Sequence, residues 1–183
     1  MATLPIRIFG DPVLRQRARQ VVDFDDRLRR LADDMLETMR EAAGSGLAAN
    51  QVGVLKRLFT WTTEDDHGAV VNPAVEETSA EVQEGDEGCL SFPGLFYPLE
   101  RPLRVRCRYQ DVHGDEHLDE FEGFLARVFV HEIDHLNGVL FIDHLARHDR
   151  NEAMKRMREY RLQQGLDDPA PQPRGFLLGR RPG

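Results

Sequence analysis

The chain has 183 residues, of which 40% are hydrophobic and 31% charged, a length that suits one domain with a real core. The formal net charge of −8 argues against general nucleic-acid binding and against a DNA partner in particular. No apolar run reaches membrane-spanning length. The start, MATLPIRIFGDPVLR, lacks a basic segment leading into an apolar one, so the expected location is the cytoplasm, with Cys89 and Cys107 as reduced thiols.

Taken in order, Asp11-Pro12 fits an N-cap followed by proline at the first helical position, and PVLRQRA reads as a short helix. Residues 25–43 form the clearest helix. Leu28, Leu31, Met35, Leu36, Met39 and Ala42 recur at three- and four-residue steps with charges between them, and Gly44 is placed to end it. GSGLAANQVG reads as a glycine-rich loop, and KRLFTWTT and GAVVNPAVEE as strands. Residues 84–102, rich in Gly and Pro, read as irregular. Leu103, Val105, Cys107 and Tyr109 alternate with Arg104, Arg106, Arg108 and Gln110, and DVHGD turns that half-buried strand back into EHLDEFEG. An apolar helix follows from about Phe124 to Asn137, with Gly138 at its C′ position. VLFIDHL is a short strand or extended piece, and residues 149–164 form a last, basic helix. GLDDPAPQPRGFLLGRRPG has the composition of a disordered segment. These elements predict an α+β fold with antiparallel strands packed around a central helix. Residues 1–165 are expected to form a single domain ending in the basic helix, and residues 166–183 a disordered tail.

Charge is unevenly spread. Residues 76–87 hold six acids and no base, whereas residues 145–183 hold nine Lys or Arg against five Asp or Glu. A solvated helix face accounts for the basic segment, and a local RNA contact is the alternative.

The chemistry concentrates in His131-Glu132-Ile133-Asp134-His135. Residues four apart lie on one face of a helix, so His131 and His135 can grip one metal ion while Glu132 stands beside it as a general base. Buried histidines next to two acids need such a reason, because unpaired polar groups are costly in an apolar helix. A catalytic site of this type takes three protein ligands and leaves a position for water. The extended H-E-x-x-H-x-x-G-x-x-H pattern fails, since its last position is Phe141. Glu152, on the charged last helix, and Cys89, in the irregular segment, both remain as third ligands. Cys107 reads as a core residue of its strand. Other histidines, His67, His113, His117, His144 and His148, read as solvated or satisfied side chains. At this level an endopeptidase using Glu152 and a non-catalytic, metal-stabilised peptide-binding module are both open.

Three segments together resemble peptide deformylase: Gly46-Leu47-Ala48-Ala49-Asn50-Gln51, Glu87-Gly88-Cys89-Leu90-Ser91 and His131-Glu132-Ile133-Asp134-His135-Leu136-Asn137-Gly138. Their order and separations match that family, as do GDPVLR before them and LFIDHL after, so the resemblance covers roughly residues 4–146. Two positions depart from it. Val130 stands where the family commonly has Gln, and GLFYPLER after Pro93 falls in a variable part. Asn50 takes a position that is often Pro.

The resemblance implies removal of the formyl group from N-formylmethionine on newly synthesised polypeptides, with release of formate. It implies Cys89, His131 and His135 as ligands to one divalent transition metal, natively Fe2+, with Zn2+, Ni2+ or Co2+ able to take the same place. Glu132 is then the proton shuttle, and the Gln51 side chain and Leu90 N–H stabilise the oxyanion. Gly46 and Gly88 flank the peptide, Phe124 and Val128 line the methionine pocket, and Arg101 meets the peptide further along. The basic helix, with Lys155, Arg156, Arg158 and Arg161, is the part suited to a ribosome contact.

Overall fold

The computed structural model describes residues 2–166. Residues 167–183, which carry nearly all of the expected tail, lie outside the described residues. Helix α1 spans Asp26–Glu41. The side chain of Asp25 caps it by accepting from the N–H groups of Arg27 and Leu28, and its apolar stripe of Leu28, Ala32, Met35 and Met39 is buried. Its end differs from expectation. Ala43, not Gly44, adopts the left-handed conformation at φ 53°. The N–H of Ala43 bonds the Arg40 carbonyl and that of Gly44 bonds the Met39 carbonyl, the two bonds of a Schellman ending. Gly44 is instead needed for space, because a Cβ there would overlap the Leu90 side chain.

Five strands, β1 (Gly46–Ala48), β2 (Leu58–Thr62), β3 (His67–Thr78), β8 (Arg104–Gln110) and β9 (Glu116–Glu122), form an antiparallel sheet in the order β1-β2-β3-β8-β9. Side chains alternate between its two faces. Leu47, Leu58 and Val71 pack with α1, whereas Ala48, Phe59, Val70 and Cys107 pack with helix α2 (Gly123–Leu136). The fold is α+β, with α2 against one face and α1 against the other. Pro73 sits in the middle of β3 without breaking the sheet because the register with β8 shifts between Val71 and Ala74. Asn72, at φ 52°, fills that irregularity with its side chain, which bonds Val21 and Gln110.

The glycine-rich segment expected as a loop supplies β1 and then a 3-10 turn, Ala49–Val52. The irregular stretch contains β5 (Asp86–Gly88), β6 (Phe96–Pro98) and β7 (Arg101–Pro102). Of these, β5 pairs with β6, and β7 pairs with β4 (Val82–Gln83). Strands of two or three residues are too short to show a period of two. PVLRQRA is helical only over Pro12–Arg15. VLFIDHL is neither strand nor extended at its centre. Phe141–Asp143 is a 3-10 turn, held because the Asp143 carboxylate accepts from the Leu140 N–H and pairs with Arg15 and Arg150. The last helix, α3, spans Arg147–Gln163 and packs Ala153 and Met157 into a core shared with Leu14, Phe92 and Phe141.

Helix α2 is fixed at both ends. Gly123 enters at φ 61° and its N–H bonds the Leu103 carbonyl. At the far end Gly138 takes φ 76°, and the N–H groups of Gly138 and Val139 close a second Schellman ending on His135 and Asp134. Between them Phe129 is fully buried, edge-on to Phe59 at 5.0 Å and stacked on Phe121 at 3.8 Å between ring centroids. Phe129→Ala should cost about 3–5 kcal/mol. In denaturant this is expected as a lower unfolding midpoint at unchanged slope; a loss below about 1 kcal/mol would mean that Phe129 does not anchor α2 to the sheet.

Candidate active site

Burial of the apolar α2 carries its polar residues inside with it: His131 is 7% exposed, Glu132 3% and His135 1%. Each such group needs a partner. His131 finds one through Nδ1, which lies 2.7 Å from Glu87 Oε1 on β5. That contact leaves Nε2 to face Cys89, in the turn after β5. His135 Nε2 lies 3.1 Å from Cys89 Sγ. One donor atom each from Cys89, His131 and His135 falls within 4.8 Å of the others, a spacing that one cation could bridge. Glu152 belongs to a separate, more exposed group with His148 and Asp149.

Glu87 is the hub behind this trio. Arg101 of β7 donates to both of its oxygens at 2.8 and 3.0 Å, and Arg127 of α2 donates at 3.1 Å. Burial opposes the charge on Glu87, but the bonds from His131 and Arg101 outweigh it and hold the carboxyl well below the usual carboxylate range. Arg101 also binds Asp134 at 3.0 Å, and His144 Nε2 meets the same Asp134 oxygen at 2.9 Å. Arg127 further binds the carbonyls of Leu99 and Gln83.

Glu132 is the opposite case. Its Oε2 is buried without a hydrogen-bond partner. Burial pushes its pKa up to about 7, with His131 acting in the other direction. A Cβ on Gly46 would overlap the Glu132 carboxylate, so the glycine is required for the acid to occupy this position. Gln51, from the 3-10 turn after β1, has its amide orientation fixed by chemistry. The Ala48 N–H, at 2.8 Å, can donate only to Oε1, so Nε2 points toward Ser91 Oγ at 3.2 Å and Cys89 Sγ at 3.5 Å. Asn50 donates at 2.5 Å to the carbonyl of His135, tying the same turn to the end of α2.

A cavity of about 600 Å³ opens onto the group. Gly46, Gln51, Gly88, Cys89, Leu90, Phe124, Val128, His131 and Glu132 all line it. His135 holds Cys89 from behind. Depths differ: Val128 is buried, whereas Phe124 is 57% exposed and stands at the mouth. Arg101 does not line the cavity. It is 5% exposed, and its guanidinium is engaged by Glu87 and Asp134, so the expected peptide contact is corrected to an internal support for His131. The sequence reading passed over Glu87 and Arg127. Arg127 lies one turn before His131 on an otherwise apolar helix, and a cation on that face requires a buried acid; that was the available signal.

The polypeptide deformylase family model matches residues 3–151. A peptide deformylase of Parafrankia sp. (strain EAN1pec) is 49% identical over 160 residues, covering 87% of this chain and 87% of the relative. One from Thermotoga neapolitana is 51% identical over 140 residues, covering 76% of this chain and 85% of the relative. The crystal structure of peptide deformylase from Thermus thermophilus superposes with a TM-score of 0.83 at 45% identity, covering 90% of this chain and 100% of that one. A match across most of the chain, with the cysteine, two histidines and glutamate gathered in one place, makes this chain a member of the polypeptide deformylase family.

Proposed function

We propose that Cys89, His131 and His135 hold one divalent transition-metal ion and that Glu132, Gln51 and Leu90 carry out the proton transfer and charge stabilisation of deformylation. The chain is a peptide deformylase, a metal-dependent hydrolase that removes the N-formyl group of nascent polypeptides. The observation that carries the residue assignment is the meeting of three donor atoms within 4.8 Å beside a buried, unpartnered carboxylate oxygen. The donor set fits such an ion: a thiol and two imidazoles suit ferrous iron, zinc, nickel or cobalt, with Fe2+ the proposed native ion. When bound, the ion supplies an activated water and polarises the formyl carbonyl.

The rest of the chemistry belongs to the chain. Glu132 is held facing the cavity with its pKa raised to about 7, which suits an acid–base group working near neutrality. It takes a proton from the attacking water and delivers it to the leaving amine, whose C–N bond to the formyl carbon breaks. The departing products are formate and a free methionine N-terminus. Gln51 Nε2, already aimed at the Cys89 side, donates to the oxygen that gains charge, and the Leu90 N–H next along the chain joins it. Glu87 holds His131 in one orientation and one tautomer, and Arg101 and Arg127 keep Glu87 ionised. Gly46 and Gly88 line the cavity through which an extended peptide would pass, and Val128 forms the inner apolar wall for methionine.

Among the described residues no helix is long and apolar enough to cross a membrane. We place the enzyme in the cytoplasm, as one catalytic domain over residues 1–165 that meets formylated chains near the ribosome. The exposed Lys155, Arg156 and Arg158 of α3 suit such a contact. Arg161 is turned inward instead, onto the Phe9 carbonyl.

Purified protein should carry about one transition-metal ion per chain. Elemental analysis of Cys89→Ala is expected to find most of it gone, and of Glu152→Ala to find it retained; the reverse pattern would overturn the ligand assignment. Glu132→Gln keeps the shape of the side chain but cannot shuttle a proton. It should keep its metal and lose at least roughly 10²-fold in turnover. Metal loss in that variant would make Glu132 a ligand instead. The reaction itself is checked with a short formyl-methionyl peptide and its acetyl counterpart. Formate and a free amine should come from the first and little or no product from the second, because the extra methyl must fit where Gln51 and Leu90 converge. Cuts at internal peptide bonds without formate would refute the assignment.

A further inference from the structure

Arg57, just before β2, is 8% exposed, yet among the described residues it forms no ion pair. Its guanidinium donates at 2.9 Å to Asn137 Oδ1, at the end of α2, and at 2.9 Å to the Pro73 carbonyl. Both acceptors are neutral. A buried charge is ordinarily matched by an opposite one, because leaving it unmatched is costly. The other buried arginines among the described residues, Arg101 and Arg127, both pair with Glu87. Burial, and after it the charge of Arg17, draw the Arg57 pKa below the usual arginine range. Arg57 borders a cavity of about 450 Å³ that shares no residue with the catalytic one. Val130, Ile133 and Asn137 bring a different face of α2 to it. Arg17 also lines it, at an exposed position and without an ion pair among the described residues. Asp134 borders it too, but Arg101 and His144 already hold that carboxylate. Val75, Val130 and Ile133 make part of the wall apolar.

We propose that this cavity binds a small organic anion, whose carboxylate or phosphate group meets Arg57 and Arg17 and whose apolar body lies against Val75, Val130 and Ile133. A guanidinium presents a planar fork of N–H donors that matches either head group. Two like charges facing one cavity repel each other, and an anion between them turns that repulsion into attraction. The cavity is the size of a small-molecule site, about 300–1,000 Å³, and larger than a bare ion fills. Its apolar wall gives the organic part a place that an inorganic ion would leave wet. The site stands apart from the deformylase reading, since it uses none of the residues assigned to that reaction.

Isothermal titration calorimetry on the metal-loaded full chain, at constant ionic strength, compares phenyl phosphate, benzoate and inorganic phosphate. Binding at one site per chain is expected. Phenyl phosphate should bind about tenfold tighter than inorganic phosphate, the low end for an apolar group entering a hydrophobic pocket. Whichever of phenyl phosphate and benzoate binds tighter identifies the head group. Arg17→Glu changes an exposed residue and should leave metal content and the unfolding midpoint where they were. It should weaken binding by at least roughly tenfold, the loss of one charge-assisted contact. Arg57→Lys keeps the charge without the planar fork and should weaken binding as well. Because that buried substitution can also disturb folding, Arg17→Glu is the deciding variant. Binding unchanged in Arg17→Glu would put the anion elsewhere, the metal site included, and overturn the proposal. Inorganic phosphate binding as tightly as phenyl phosphate would overturn it too, as would no binding of any of the three at millimolar concentration.

Discussion

The buried carboxylate of Glu87 is the constraint on which the site depends. It is 4% exposed and receives bonds from Arg101, Arg127 and His131, groups that reside on β7 and α2 while Glu87 itself resides on β5. A carboxylate so deeply placed is tolerated only with its lone pairs satisfied and its charge matched. Those requirements lock three elements together. Cys89 follows Glu87 by two residues, so the bond that orients His131 also fixes where the thiol approaches His135. Metal-ligating histidines are ordinarily steered by such partners. Here the same group also sets the geometry of the segment that carries Cys89.

The contrast between Glu87 and Glu132 shows how environment assigns roles to identical side chains. Both are buried. Glu87 is surrounded by cations and stays ionised well below its usual range. Glu132 has an unpartnered oxygen and is pushed up to about 7. One is therefore a permanent charge that holds a histidine, and the other can exchange a proton near neutral pH. Two carboxyls whose environments drive them apart in this way mark a site prepared for acid–base work.

The sheet contributes rigidity rather than chemistry. It is clamped between α1 and α2, and Phe129 seats α2 on Phe59 and Phe121. Several candidate site residues sit at the margins of this frame: Gly46 on an edge strand, Gln51 in a 3-10 turn, Cys89 after a three-residue strand. The histidines and Glu132 lie on a long element. Asn50, bonded to the His135 carbonyl, connects the turn that carries Gln51 to the end of that element.

Much of this was legible in the sequence, and the division follows physical lines. Periodic burial writes itself into long elements, so α1, α2, α3 and the β8–β9 hairpin were readable from residue spacing. The H-E-x-x-H spacing defined a pair of ligands and a neighbouring acid, because one helical turn is a local quantity. Spacing alone left Cys89 and Glu152 open as third ligand; the resemblance across three segments favoured Cys89, and the structure gathers Cys89 with the histidines while leaving Glu152 in a more exposed group. The strands of residues 82–102 were hidden because two or three residues carry no period. Ala43 taking the left-handed position, with Gly44 reserved for Leu90, could not be foreseen, since the reason is a side chain far along the chain. Arg101 was expected at the peptide and is an internal ion-pair partner for the same kind of reason. Residue order alone singled out the candidates for binding a metal and moving a proton, as that depends on chemistry and short-range geometry. Which arginines are buried, which carboxyl is held ionised and which aromatic stands at the mouth of the cavity emerged only with the folded chain, because charge pairing and burial are set by neighbours distant in the sequence.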